Sequence, residues 1–247
     1  MGRAARPAFA TSESPSKPGW GESPGQTSFC IGGIGEPRIA YPPAMHDHLI
    51  HAGRPDAEQR AALEAIIRSS PLLMEVLTLL RDDGLPDHLL VAGVIYNLVW
   101  NRLTGRPDLT GINDIDVFYF DGSDLSYEAE DTVIQRLAPR FAHLPLPVQI
   151  RNQARVHLWF EDKFGSPFQP LTSAAEMLGR YASKTHAVAA RLEPDDSLTL
   201  FAPFGLDDIF AFRLTPNPVL NNKRAHDTKA ARAKTIWPEL TIVPWPE

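Results

Sequence analysis

Two aspartates, Asp114 and Asp116, stand two residues apart in the run Ile112-Asn113-Asp114-Ile115-Asp116-Val117-Phe118-Tyr119-Phe120-Asp121. The rest of that run is largely apolar, β-branched and aromatic, which suits a buried, pleated strand. Side chains at i and i+2 of a strand share a face, so Asp114 and Asp116 project together while Ile115 and Val117 turn into a core. Adjacent carboxylates repel unless a proton or a cation lies between them. Hard oxygen donors suit Mg²⁺, with Mn²⁺ as the near substitute. The bland alternative is that the acids cap nearby loops or pair with Arg151 and Arg155.

Elements able to position the pair can be read on both sides. His88 to Ala92 is a short apolar run and predicts a buried strand. Gly93 is a turn, and Val94 to Leu103 predicts a helix with Ile95, Leu98, Val99 and Trp100 facing inward. Thr104-Gly105-Arg106-Pro107 ends it. Upstream, Asp56 is expected to cap a helix over 57–69. Pro71 opens a second helix that Asp83-Gly84 closes. Downstream, Asp124 to Glu128 caps a helix running to about Arg140, and Val148 to Arg151 is a strand. Residues 152–163 are mostly helical, and Thr172 to Glu176 has the features of a capping box before a helix to about Tyr181. Residues 186–192 and 198–202 pair around Glu193-Pro194-Asp195-Asp196. Residues 206–214 and a basic helix over 221–237 complete the chain. Strands alternate with helices, so the class is mixed α/β.

Composition narrows the rest. The chain has 247 residues, 43% of them hydrophobic and 22% charged, which are globular values. With 24 basic against 30 acidic residues it is mildly acidic, which argues against binding nucleic acid by bulk charge. The single cysteine, Cys30, allows no internal disulfide and fits a reducing cytoplasm. No apolar run approaches the roughly 18 residues of a membrane span, so no membrane partner is expected. Residues 1–48 are rich in Pro, Gly and Ser and read as a disordered tail, with Met45 an alternative start of translation; residues 49–247 read as the folded domain. No Gly-x4-Gly-Lys-Ser/Thr, His-Glu-x-x-His or Gly-x-Ser-x-Gly pattern occurs.

A strand ending in glycine, a helix, and then a strand carrying Asp-x-Asp resembles the polymerase-β-like nucleotidyltransferase superfamily. Here Ala92-Gly93 supplies the turn and Asp114-Ile115-Asp116 the acids. Four longer blocks resemble a bacterial nucleotidyltransferase-like family, once a domain of unknown function: 92–101, 113–121, Arg151 to Trp159, and Ala202 to Asp208. The resemblance covers about residues 70–245. It implies an α+β fold with a small mixed sheet flanked by helices. It also implies a cytoplasmic Mg²⁺-dependent transferase that takes a nucleoside triphosphate and passes the monophosphate to a hydroxyl acceptor (small molecule, protein or RNA). Asp114 and Asp116 would bind metal, Gly93 and Asn97 would shape the phosphate turn, and Arg151 and Arg155 would contact phosphate.

Two departures from that pattern stand out. Val94 replaces a second small residue and would crowd the phosphate. Gln149 stands where a third carboxylate is expected, leaving Asp121, Asp124 and Glu161 as other candidates. These departures support an alternative, a non-catalytic nucleotide- or RNA-binding protein on the same scaffold. Other residues have plainer readings. Arg151 and Arg155 can equally pair with Asp124 and Glu128, His157 reads as a hydrogen-bonded structural residue, and Lys184 as solvated. Trp100 and Trp159 read as core. Lys223, Arg224, Lys229, Arg232 and Lys234 read first as a solvated helix face and second as an RNA contact.

Overall fold

The computed structural model describes residues 47–220 and 222–247. The expected tail, save its last two residues, and the Met45 start lie outside them, as does Asn221. Seven helices and seven strands are described, and five of the strands form one mixed sheet in the order β3-β2-β1-β4-β5.

Helix α1 (Asp56–Arg68) buries Leu63 and Ile67 along one stripe. Its cap is Pro55 rather than Asp56, which instead is the first helical residue and puts its charge at the positive end of the dipole. Helix α2 (Pro71–Asp83) starts as expected: the Ser70 hydroxyl accepts from Leu73 N at 3.4 Å, and Gly84 closes it at φ 70°. Strand β1 (Leu89–Val91) is buried on both faces because it lies at the sheet's centre, between β2 (Ile115–Tyr119) and β4 (Ala189–Leu192), antiparallel to both. Helix α4 (Tyr127–Phe141), capped by Ser126, returns the chain so that β3 (Val148–Asn152) runs parallel to β2. Strand β5 (Leu198–Phe201) completes the expected hairpin with β4.

Alternation along β2 separates the two faces of the sheet. Ile115, Val117 and Tyr119 join Leu90 and Ile150 in the main core, under α1, α2, α4 and α3 (Gly93–Leu103). Phe118 joins Leu89, Val91 and Ala189 in a smaller cluster covered by Ala174 and Leu178. The acids share the face of Phe118.

Local expectations fail where packing rather than periodicity decides. The capping features over Thr172 to Glu176 form, with Ser173 Oγ accepting from Glu176 N at 3.3 Å and Glu176 Oε2 from Thr172 N at 2.8 Å, but only 3₁₀ turns over Ala175–Arg180 follow. Residues 206–214 divide into α6 (Asp207–Phe210) and the two-residue strand β6 (Arg213–Leu214). Strand β6 pairs in parallel with β7 (Thr241–Ile242). Trp100 is fully buried, as expected. Trp159 is not core: on α5 (Val156–Phe164) it is 38% exposed, beside exposed Leu158 and Phe164.

Helix α7 (Lys223–Ile236) is locked down by the residue after it. Trp237 packs edge-on against Trp100 at 5.2 Å and donates from Nε1 to Asn101 Oδ1 at 3.0 Å. Asn101 Nδ2 in turn donates to the carbonyls of Asp108 and Thr110, at 2.8 and 2.9 Å. The loop that leads into Asp114 is therefore held by Trp237 through α3. Gly111, at φ 74°, lies under the same ring, and a Cβ there would approach Trp237 Cη2 to 2.6 Å. Gly111→Ala is expected to cost about 2–3 kcal/mol, from steric conflict plus left-handed backbone strain, read as a fall in the urea midpoint at unchanged slope.

Candidate functional site

Strand pairing fixes the floor of the site. Asp116 lies opposite Val91 on one side and Gln149 on the other, with Arg151 two residues along β3 on the same face. Asp114, just before β2, accepts from Gln149 Nε2 at 2.7 Å. The structure thus brings Asp114 and Asp116 together with Gln149 between them. No group of three or more His, Cys, Asp or Glu able to hold a metal occurs among the described residues. The other acids considered for a third ligand are engaged elsewhere or exposed: Asp121 accepts from Ser123, Asp124 from Ser126, and Glu161 lies exposed on α5.

The Asp116 carboxyl is pushed up to about 6, first by burial and then by the neighbouring Asp114 charge, with Lys229 and Arg151 pulling it back. It makes no hydrogen bond or ion pair among the described residues, so the pairing with Arg151 or Arg155 considered above does not form. In the unfolded chain this group ionises in the ordinary carboxylate range. Its contribution to stability is therefore full below about pH 4 and is lost as pH rises through about 6. Asp116→Asn is expected to melt above the native chain near pH 8, by a margin worth up to about 3 kcal/mol, and with no difference near pH 4. Thermal unfolding at the two pH values measures this.

Beside the acids, the chain turns sharply from β1 into α3. Ala92, at φ 51°, holds a left-handed conformation that a Cβ disfavours. The N–H groups of Ile95 and Tyr96 bond to Ala92 O at 2.9 and 3.1 Å, which leaves those of Gly93 and Val94 without a backbone partner among the described residues. A Cβ built on Gly93 meets nothing within 4 Å, so the ground before the helix is open. Asn97 follows one turn later, 9% exposed. The Val94 side chain is buried in the main core, which removes the expected crowding of a phosphate.

Tyr96 and Tyr181 wall the acids. Burial chiefly, and the Asp116 charge next, hold both phenols well above their ordinary range. Tyr96 stacks on buried His186, ring centroids 4.6 Å apart, and burial keeps that imidazole neutral. On another side lies α7. The charge of Lys229 bears on Asp116 and on His186, and that of Arg232 on Tyr96.

The remaining expected residues divide. Arg151 stays near the acids; its guanidinium donates to its own strand at Ile150 O, 2.9 Å. Arg155 lies past the far end of β3. It is ion-paired with Glu130, rather than with Asp124 or Glu128, and donates to Leu125 O at 3.0 Å beneath the Tyr127 ring. It is committed to holding α4 to β3 and is not brought to the acid pair. Lys184 lies over the Phe204 ring at 5.7 Å. His157 is half-buried, and its Nδ1 has no hydrogen-bond partner among the described residues, in place of the expected one. Tyr96 and Tyr181 were not read as site residues in the sequence, and Lys229 was read only as one of the basic residues of a solvated helix face or RNA contact. The only signal for Lys229 was its three-residue spacing from Arg232, which puts both on one flank of α7.

The family model for nucleotidyltransferases matches residues 78–242. No curated protein matches. Among solved structures the chain is similar to one described as a CCA-adding enzyme head domain, with 29% identity and a TM-score of 0.60, over 75% of this chain and 96% of that one. It also matches an apo tRNA-processing enzyme at 21% identity and a TM-score of 0.34, over 57% of this chain and 37% of that one. No described helix is long and apolar enough to cross a membrane.

Proposed function

The chain belongs to the nucleotidyltransferase family, and on that premise we propose that it transfers a nucleoside monophosphate from a triphosphate to a hydroxyl acceptor, assisted by Mg²⁺ or Mn²⁺. The observation that carries this reading is the same-face pair Asp114 and Asp116 beside the open-fronted start of α3. The donor set suits one hard cation. Asp114 and Asp116 would hold it, with Gln149 orienting Asp114 and offering a neutral oxygen. The raised Asp116 carboxyl marks repulsion that such a cation would relieve. When bound, the ion would offset charge developing on the transferred phosphoryl group.

The chain's own groups supply the rest. The backbone N–H groups of Gly93 and Val94 would face the phosphates, and Asn97 backs that turn. Arg151 approaches the phosphate oxygens from β3. In the transfer, an acceptor oxygen bonds to the α-phosphorus, the bond to the pyrophosphate oxygen breaks, and the hydroxyl proton is lost to solvent. Arg155 has no part in this reading.

A screen of the four labelled nucleoside triphosphates with Mg²⁺ and Mn²⁺, across protein, RNA and small-molecule acceptors, tests the proposal. The similar solved domain is described as part of a CCA-adding enzyme, which puts RNA first among them. Transfer of label to one acceptor class is expected. A second reading, nucleotide binding without transfer, is favoured by one feature, the amide of Gln149 at the strand position expected for a third carboxylate. Metal-dependent binding heat with no transfer to any acceptor would select it. Neither heat nor a raised melting temperature on adding Mg²⁺ and triphosphate would dismiss both.

A further inference from the structure

We infer that Lys229 of α7 binds the outer phosphates of the nucleotide held at Asp114 and Asp116. This rests on the nucleotide reading above and adds a residue that reading does not use. The geometry comes from how α7 is fixed. His226, buried, is hydrogen-bonded through Nδ1 to Ser183 Oγ at 2.7 Å. Arg232 Nη2 donates to Gly111 O at 3.4 Å. Lys229 lies three residues from each, on the same side of the helix.

Both anchor points belong to segments that build the site. Ser183 precedes His186, the residue stacked on Tyr96, and Gly111 precedes Asp114. A side chain between those anchors lies close enough to the acid pair for its charge to act on Asp116 and on His186. Arg151 comes to that pair from the β3 side, and Lys229 from the side of His186, which leads into β4. A triphosphate seated on the acids would then lie between two cations.

The other lysines of α7 have partners. Lys223 is ion-paired with Asp227, and Lys234 donates to the carbonyls of Pro238 and Leu240. Lys229 makes no ion pair or hydrogen bond among the described residues and is exposed. A flexible ammonium with three donors suits a polyphosphate tail, whose oxygens it can take singly and in turn.

Calorimetry on the full chain with Mg²⁺ tests the assignment, with ATP, GTP, CTP and UTP each compared with its monophosphate. For the preferred base, Lys229→Ala is expected to weaken triphosphate binding by about 10- to 100-fold, the loss of one charge-assisted contact. Monophosphate binding should stay unchanged, and Lys229→Arg should restore most of the affinity. Equal weakening of both nucleotides, or none, would overturn the assignment while leaving the nucleotide reading intact. If the native chain binds no nucleotide, that reading fails and the assignment with it.

Discussion

Asp116→Ala is expected to reduce metal-dependent transfer by at least about 100-fold. Loss of an outer-shell partner of a metal ligand typically costs 10- to 100-fold, and loss of the ligand itself costs no less. The expectation is asymmetric between the two acids. Asp116 sits within β2, half-buried and with no hydrogen-bonding partner among the described residues, whereas Asp114 is held by Gln149. Removing Asp116 also removes the repulsion that raises its carboxyl. The variant should therefore fold at least as well as the native chain near pH 8 while losing turnover, and that combination separates a site effect from a folding defect. Initial rates with the best triphosphate and acceptor, taken beside melting curves, measure it. Transfer that survives the substitution would remove these acids from the mechanism.

Trp237→Ala is expected to be the most damaging single change to stability. Trp237 is 2% exposed and packs on Trp100. Truncating such a ring typically costs about 3–5 kcal/mol, because the cavity closes only in part. Here the loss also strands Asn101 Oδ1, whose amide nitrogen holds the loop ahead of Asp114. Urea unfolding should show the lower midpoint. Trp237→Phe, which keeps the bulk and loses the donor, should recover much of the stability but not the tethering of that loop. Faster amide exchange at residues 108–113 would report the difference.

The features legible in the sequence are those encoded at short range. The alternation of β2, the apolar run of β1, the Pro71 start and Gly84 end of α2, and the β4–β5 hairpin are each written in fewer than about 15 neighbouring residues. The acid pair belongs to this class, because its shared face follows from strand periodicity alone. The start of α3 does too, although the strain at Ala92 does not. Strands β6 and β7 escape such reading, since two residues carry no period and their pairing spans the whole of α7. Trp159 was misplaced because its aromatic neighbours imply burial, whereas α5 turns only Val156 and Phe160 inward. Arg155 finds Glu130 across a strand and a helix, and no spacing rule foretells that choice. The basic residues of α7 looked uniform in sequence. Only the tertiary anchors at His226 and Arg232 single out Lys229.

The tie between Trp237 and Asn101 also sets an order in biosynthesis. A ribosome makes Asp114 and Asp116 long before it makes α7, and the earlier segments can begin to fold as they emerge. A nascent chain that has reached β3 already has the like-charged acids and Gln149, but neither Lys229 nor the tryptophan that steadies the preceding loop. At that stage the two carboxylates have Arg151 beside them but lack the charge of Lys229 and the tether, so on the proposed reading the segment is poorly organised to capture a nucleotide. If the proposed site is right, competence arrives with translation of α7, and a chain truncated before it would carry the acids without Lys229 or the Trp237 tether.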